Sequence, residues 1–183
     1  MLEAYSTYLL GHTECSVGRT YEHQNKVDLL KAEKLLSQEM FALWFNNSIQ
    51  KKTTGAPYDL DAYSISNSHS HGWVCVARCK SHEIGIDIQN INEKCERVKN
   101  KFISKHDVRK PSHLTSLEYY TLIWSLKEAA YKWFEEYIAL KDIVITELSK
   151  NKAEIFLYSD IGTLNCQAHY ILTNDWALSV VEK

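Results

Sequence analysis

The apolar positions of this chain change period several times, and each change predicts an element. EAYSTYLLGHTECSV alternates apolar and polar residues at a spacing of two, which predicts strands and the start of a small sheet. Between Tyr21 and about Phe45 the residues Val27, Leu30, Leu35, Met40, Leu43 and Trp44 recur at helical intervals, with Lys and Glu between them. KKTTGAP breaks that pattern at Gly55 and Pro57. SISNSHSHG then reads as a polar turn region running into a strand, WVCVARC. A short turn at Lys80 and Ser81 leads to a second strand, EIGIDIQ, so the pair reads as a hairpin. NEKCERVKNKFISKHDVRK is helical in part and ends at Pro111. In SLEYYTLIWSLKEAAYKWFEEY, Tyr119, Leu122, Leu126, Ala129, Ala130, Trp133 and Tyr137 fall on one stripe at 100° per residue, the core face of a helix. The tail, DIVITEL, AEIFLYS, LNCQAHYIL and WALSVVE, is a series of β-rich runs broken by SKNK, SDIG and TND, hence an antiparallel meander. Together these elements make an α+β pattern.

Two of the elements carry charges where the pattern calls for an explanation. Lys127, Glu128 and Lys132 lie opposite the apolar stripe of the second long helix, where a solvated face with helical ion pairs is the plain reading. Trp124 and Tyr131 sit among them, and two large aromatics favour a face covered by protein or by a ligand. In EIGIDIQ, strand alternation puts Ile84, Ile86 and Ile88 on a core face and Gly85, Asp87 and Gln89 on the other. Asp87 is then exposed to solvent on a half-covered strand, paired, or bound to a cation, beside a glycine that leaves room for an approach.

Composition narrows the classes. At 183 residues the chain suits one domain with a core of its own or two small lobes, and 45% hydrophobic with 24% charged residues is ordinary for a soluble globular protein. A net charge of −2 gives no general attraction to nucleic acid or to an anionic membrane. The start, MLEAYSTYLLGH, lacks the marks of a signal peptide, and no apolar run approaches membrane-spanning length. Five scattered cysteines without a secretion signal predict reduced thiols in the cytoplasm. Cys75 and Cys79 lie among His69, His71 and His82, which raises a zinc site, but there is no C-x-x-C and buried free thiols are the simpler reading. Lys94, Arg97, Lys99, Lys101, Lys105, Arg109 and Lys110 make one segment locally basic: a solvated face, or a docking surface for an acidic partner.

The pieces combine into a chemistry. Two carboxylates on rigid elements, Asp87 and Glu128, suit Mg²⁺, which is held by one or two carboxylates together with substrate phosphates. Lys127 and Lys132 flank Glu128, and SNSHS offers small hydroxyls, an amide and a histidine to a phosphate. The ordered set GAPYDL, SNSHS, GIDI and WSLKEAAYK resembles the 4′-phosphopantetheinyl transferases, in particular their longer, two-lobed class typified by the surfactin-synthetase activator. Trp124, Ser125, Lys127, Glu128, Ala129 and Lys132 match W-[ST]-x-K-E-A-x-x-K; Gly85 and Asp87 match G-x-D; Ser68, His69 and Ser70 match S-H-S.

The resemblance implies a pseudo-dimer of two similar α+β lobes, each an antiparallel sheet with a long helix packed on it. The N-terminal lobe would span residues 1–72 in shortened form and the C-terminal lobe residues 73–183, with the site between them. It implies transfer of 4′-phosphopantetheine from coenzyme A to a serine of an acyl carrier protein, or of a carrier domain of a polyketide or nonribosomal peptide synthetase, releasing adenosine 3′,5′-bisphosphate. Asp87 and Glu128 would hold Mg²⁺, with Mn²⁺ as an alternative, against the pyrophosphate. Gly85 and Ser68 would lie near the nucleotide, His69 on the 3′-phosphate, and Lys132 on the pyrophosphate with Lys127 as its helper. A monomer is expected, since two lobes in one chain complete a site.

The match departs from the family at three places. Gln89 stands where G-x-D-x-E has a second carboxylate, so it can ligate directly or through water but adds no charge. Ala56 stands where a phosphate-binding lysine is usual, with Lys51 and Lys52 nearby, and FISKHDV puts His106 and Asp107 where a glutamate is expected. Gln89 and Ala56 motivate the alternative of a non-catalytic protein of the same fold that binds coenzyme A or a carrier. A third reading is a zinc-stabilised interaction module built on the stretch from His69 to His82.

Overall fold

A computed structural model of the protein describes residues 5–20, 25–44, 50–51, 57–58, 63–134 and 136–183. Gly55 and Ala56 of the GAP motif, and Lys52, lie outside the described residues. Strands β1 (Ser6–Leu10) and β2 (Thr13–Arg19) form the expected opening hairpin, and helix α1 (Lys26–Trp44) follows. A two-residue pair, β3 (Gln50–Lys51) and β4 (Pro57–Tyr58), precedes β5 (Ser64–Ser70), β6 (Trp73–Cys79) and β7 (Ile84–Asn90). Helix α2 (Glu93–Val98) runs through a 3-10 turn to a loop and then to α3 (Ser116–Phe134). Strands β8 (Ile143–Ser149), β9 (Lys152–Ser159), β10 (Gly162–Leu172) and β11 (Trp176–Glu182) complete the chain.

The strands form a four-stranded antiparallel sheet in the order β1-β2-β6-β5 and a five-stranded one in the order β7-β11-β10-β9-β8. Each carries one long helix. Met40 and Phe41 of α1 pack on Ile65, Val74 and Val76 of the smaller sheet. Tyr119, Leu122, Leu126, Ala129, Ala130 and Trp133 of α3 pack on the larger one, so the predicted stripe holds except for Tyr137, which lies beyond the helix and is exposed. The inner faces of the two sheets meet in a shared core, where Cys15, Val17, Cys75, Ala77 and Cys79 touch Ile84, Ile86, Ile88, Trp176, Leu178 and Val180. The architecture is therefore two similar α+β lobes, layered helix, sheet, sheet, helix.

Several expectations are corrected. SISNSHS is strand β5, and only His71 and Gly72 turn; both have positive φ (50° and 85°), the geometry of a tight hairpin reversal that glycine adopts without strain. WVCVARC and EIGIDIQ are not a hairpin: β6 is already paired on both edges by β2 and β5, so β7 leaves the smaller sheet and pairs with β11. The passage between sheets thus falls after Cys79. Helix α1 forms, but Val27, Leu30, Leu35 and Leu43 are exposed, and the face turned inward includes Glu33 and Ser37. Asn67 donates to the Ser37 hydroxyl, which gives that face its polar partner.

The serines of β5 explain how the two sheets join. Strand β7 pairs with β11 on one side only, which leaves amides open along its other edge. The Ser64, Ser66 and Ser70 hydroxyls accept from the amides of Ile84, Ile86 and Asn90 at 3.0, 3.3 and 3.2 Å. The intervening residues Ile65, Asn67 and His69 face α1 instead, through Ile65 packing, the Ser37 contact and a Glu33 contact. A serine at every second position is thus an edge-strand cover, with the period of a strand.

Candidate active site

The site grows from the crossing of α3 over β7. A Cβ at Gly85 would overlap the Ala129 carbonyl oxygen and lie 2.5 Å from the Trp133 amide nitrogen, so only glycine lets the helix backbone come this close. The room beside Gly85, expected for a ligand, is filled by α3. Two residues along the same strand face, Asp87 then points at the next stretch of helix, and its side chain is 3% exposed. Ser125 of α3 donates to the Asp87 backbone carbonyl at 2.9 Å, which pins the strand to the helix.

Four side chains converge on the Asp87 region. Lys132 Nζ donates to Asp87 Oδ1 and to the Ile86 carbonyl, both at 2.9 Å. Ser68 donates to the same Oδ1 at 2.7 Å, and Gln89 Nε2 donates to Oδ2 at 3.0 Å. Gln89 is itself held, its Oε1 accepting from Ser70 at 3.2 Å. Glu128 stands one helical turn before Lys132. Burial pushes its carboxyl above the ordinary range, the negative charge of Asp87 pushes it further, and Lys132 and Lys94 partly offset this. Two crowded, partly desolvated carboxylates with one lysine between them form a set of oxygen donors that a divalent cation would relieve.

Other predicted site residues are placed differently. Lys127 does not face this cluster. It is fully buried, donating to Asp107 Oδ2 at 2.8 Å and to the Phe102 and Leu140 carbonyls at 2.8 and 3.2 Å. Burial lowers its pKa, with Asp107 working the other way. Asp107 also accepts from the Ser104 and Ile145 amides, so FISKHDV supplies a structural anchor, while His106 beside it is exposed. The charged side of α3 is covered only in part: protein seals Lys127 and the Asp87 cluster lies beside Lys132, while Tyr131, expected under cover, is exposed. Trp124 packs edge-on against Phe102, on the Lys127 side.

Ser68 is buried and engaged with Asp87. His69, the next residue, faces the opposite side of the strand. Its Nδ1 lies 2.9 Å from Glu33 Oε2, and its side chain is 44% exposed, so the rest of the ring reaches solvent. Glu33 is buried, and its other oxygen accepts from the Gly72 amide at 2.7 Å. Sequence reasoning missed Glu33, and it named Ser70 and Asp107 only as motif positions, without the hydrogen bonds that they make. A carboxylate in the middle of a helix next to apolar residues was the available signal for Glu33, but its partner lies on a strand that read as a turn.

The four-stranded sheet and α1 supply Ser68, Ser70, His69 and Glu33; the five-stranded sheet and α3 supply Asp87, Gln89, Glu128 and Lys132. No curated protein matches the chain. The family model of the 4′-phosphopantetheinyl transferase superfamily matches residues 83–181, more than half of it, from just before β7 to the end of β11.

Proposed function

The chain belongs to the 4′-phosphopantetheinyl transferase superfamily, and on that premise we propose that it transfers the 4′-phosphopantetheine of coenzyme A to a serine of an acyl or peptidyl carrier protein. The observation that carries this reading is the pairing of Asp87 with a Glu128 whose carboxyl is pushed up by burial and by its neighbour, with Lys132 alongside. Asp87 and Glu128 would hold Mg²⁺ or Mn²⁺, with Gln89 able to offer its carbonyl oxygen or a water. Bound there, the metal supplies positive charge against the pyrophosphate of coenzyme A.

The protein's own groups do the rest. Lys132, about a third exposed, offers its ammonium to the pyrophosphate and offsets charge on the leaving group. His69, held through Nδ1 by Glu33, presents the remainder of its ring to the 3′-phosphate. The carrier serine gives its proton to a carboxylate or a water at the site and attacks the β-phosphorus, the bond from that phosphorus to the bridging oxygen breaks, and adenosine 3′,5′-bisphosphate leaves. Lys94, Arg97, Lys101, Lys105, Arg109 and Lys110 are exposed, and Lys94 is close enough to act on the charge of Glu128. This basic surface beside the site suits docking of an acidic carrier. The two layers would act as two lobes with the site at their junction, in a monomer.

A second reading is a protein that binds coenzyme A without transferring from it. Gln89 favours it, since its amide occupies an Asp87 oxygen where the family places a further carboxylate. The test is the intact mass of several apo carrier proteins after incubation with this protein, coenzyme A and Mg²⁺, beside a calorimetric measurement of coenzyme A binding. A phosphopantetheine mass gain on any carrier supports the transferase. Binding without a gain supports the second reading, and absence of both sinks the two together.

A further inference from the structure

The stretch from His69 to His82 does not gather its histidines and cysteines in one place: His69 goes to Glu33, and His71 to Ser70. His82 instead meets two residues distant in sequence. His12 lies in the β1–β2 turn, His82 in the connection from β6 to β7, and Glu182 at the end of β11. One ligand atom from each lies within 4.8 Å of the other two. The two imidazoles stack with centroids 4.6 Å apart and planes 24° from parallel.

The carboxylate is already oriented. Glu182 Oε1 accepts from the His12 amide at 2.8 Å and from the Thr13 hydroxyl at 2.6 Å, while Oε2 faces His12 Nδ1 at 3.3 Å. Burial alone would push this carboxyl up, but the Thr13 and His12 hydrogen bonds outweigh it and keep it below the usual range. Such fixing of a ligand oxygen by further hydrogen bonds is what supports a metal site from behind. Ser81 lies 2.7 Å from His82 Nδ1, which leaves that ring's other nitrogen for a ligand, and the Cys79 sulfur stands 3.9 Å from the same Nδ1. The His12 side chain is 68% exposed, so a metal could reach it from solvent.

We propose that His12, His82 and Glu182 form a binding site for a divalent transition metal, with Zn²⁺ the best match to two imidazoles and one carboxylate. The site is separate from the Asp87 cluster: Glu182 pairs with Ile84, three residues along β7 from Asp87, a span of roughly 10 Å at strand rise. A metal there would tie the β1–β2 turn of one lobe to the last strand of the other, beside the segment where the chain passes between sheets. Its role is a clip, and it does not depend on the transferase reading.

The test is calorimetric titration with Zn²⁺ in excess Mg²⁺, which competes for sites made of oxygen donors alone, whatever their place in the molecule. The parent protein should bind one Zn²⁺ and unfold at a higher temperature with it than without. His12→Ala and His82→Ala, each removing a ring from a surface turn, should each weaken binding at least about tenfold and abolish the thermal gain. Absence of Zn²⁺ binding in the parent, or equal binding in the parent and both variants, would overturn the proposal.

Discussion

The two lysines of α3 are five residues apart in one motif, and their surroundings assign them different work. Lys127 is sealed against Asp107 and two carbonyls, so Lys127→Ala leaves a buried carboxylate without its countercharge. Such a loss costs about 3 kcal/mol, and denaturant unfolding of the variant should show it. Lys132→Ala should cost less, since Ser68 and Gln89 still donate to the buried Asp87, while lowering the transfer rate on the order of a hundredfold. The reverse pattern would mean that the roles are exchanged. Glu128 carries a pH prediction. Its folded-state pKa is raised, so the folded protein holds that proton more tightly than the unfolded chain does. Metal-free stability from this group is therefore fully present below the ordinary carboxylate pKa and is lost as pH rises through the raised one. Mg²⁺ affinity should run the other way, falling as pH drops through the same window. Unfolding free energy measured against pH in the parent and in Glu128→Gln checks it: the variant should lack this slope and be more stable near neutral pH without metal.

At the scale of elements, the contact of α3 with β7 and the contact of β5 with β7 set the site. Gly85→Ala pushes a methyl into the α3 backbone and should destabilise by on the order of 3 kcal/mol, read as a lowered thermal midpoint. Ser66→Ala leaves the Ile86 amide without its acceptor at the junction of the sheets and should cost about 1 to 2 kcal/mol by the same measurement. A change below a few tenths would mean that β7 needs no cover on that edge. These elements also show what could be read in advance. The isoleucine face of β7, the stripe of α3 and the C-terminal meander follow from local period, because each buries one apolar face. Strand β5 was hidden because its serines satisfy backbone amides twenty residues further on, and hydroxyls at alternate positions look like a loop. The partner of β7 was hidden because it is the last strand of the chain. The buried face of α1 was obscured because Glu33 and Ser37 do work there that hydropathy assigns to leucines.

For the whole molecule, two helix-covered sheets share one core, and the acidic cluster sits where residues from both sides reach it. The motifs name Asp87, Glu128 and Lys132 together, and the crossing of α3 over β7 brings the three side chains to one place. They could not separate Lys127 from the group, since its partner Asp107 comes from a loop whose path no local pattern fixes. The most direct test of the account is the rate of phosphopantetheine transfer to an apo carrier, followed by intact mass against Mg²⁺ concentration, for the parent and for Glu128→Ala. The account predicts a rate that rises with Mg²⁺ to saturation in the parent and is lost in the variant at every Mg²⁺ concentration, with the variant still folded. Transfer by Glu128→Ala at the parent's rate and with the parent's Mg²⁺ dependence would contradict it.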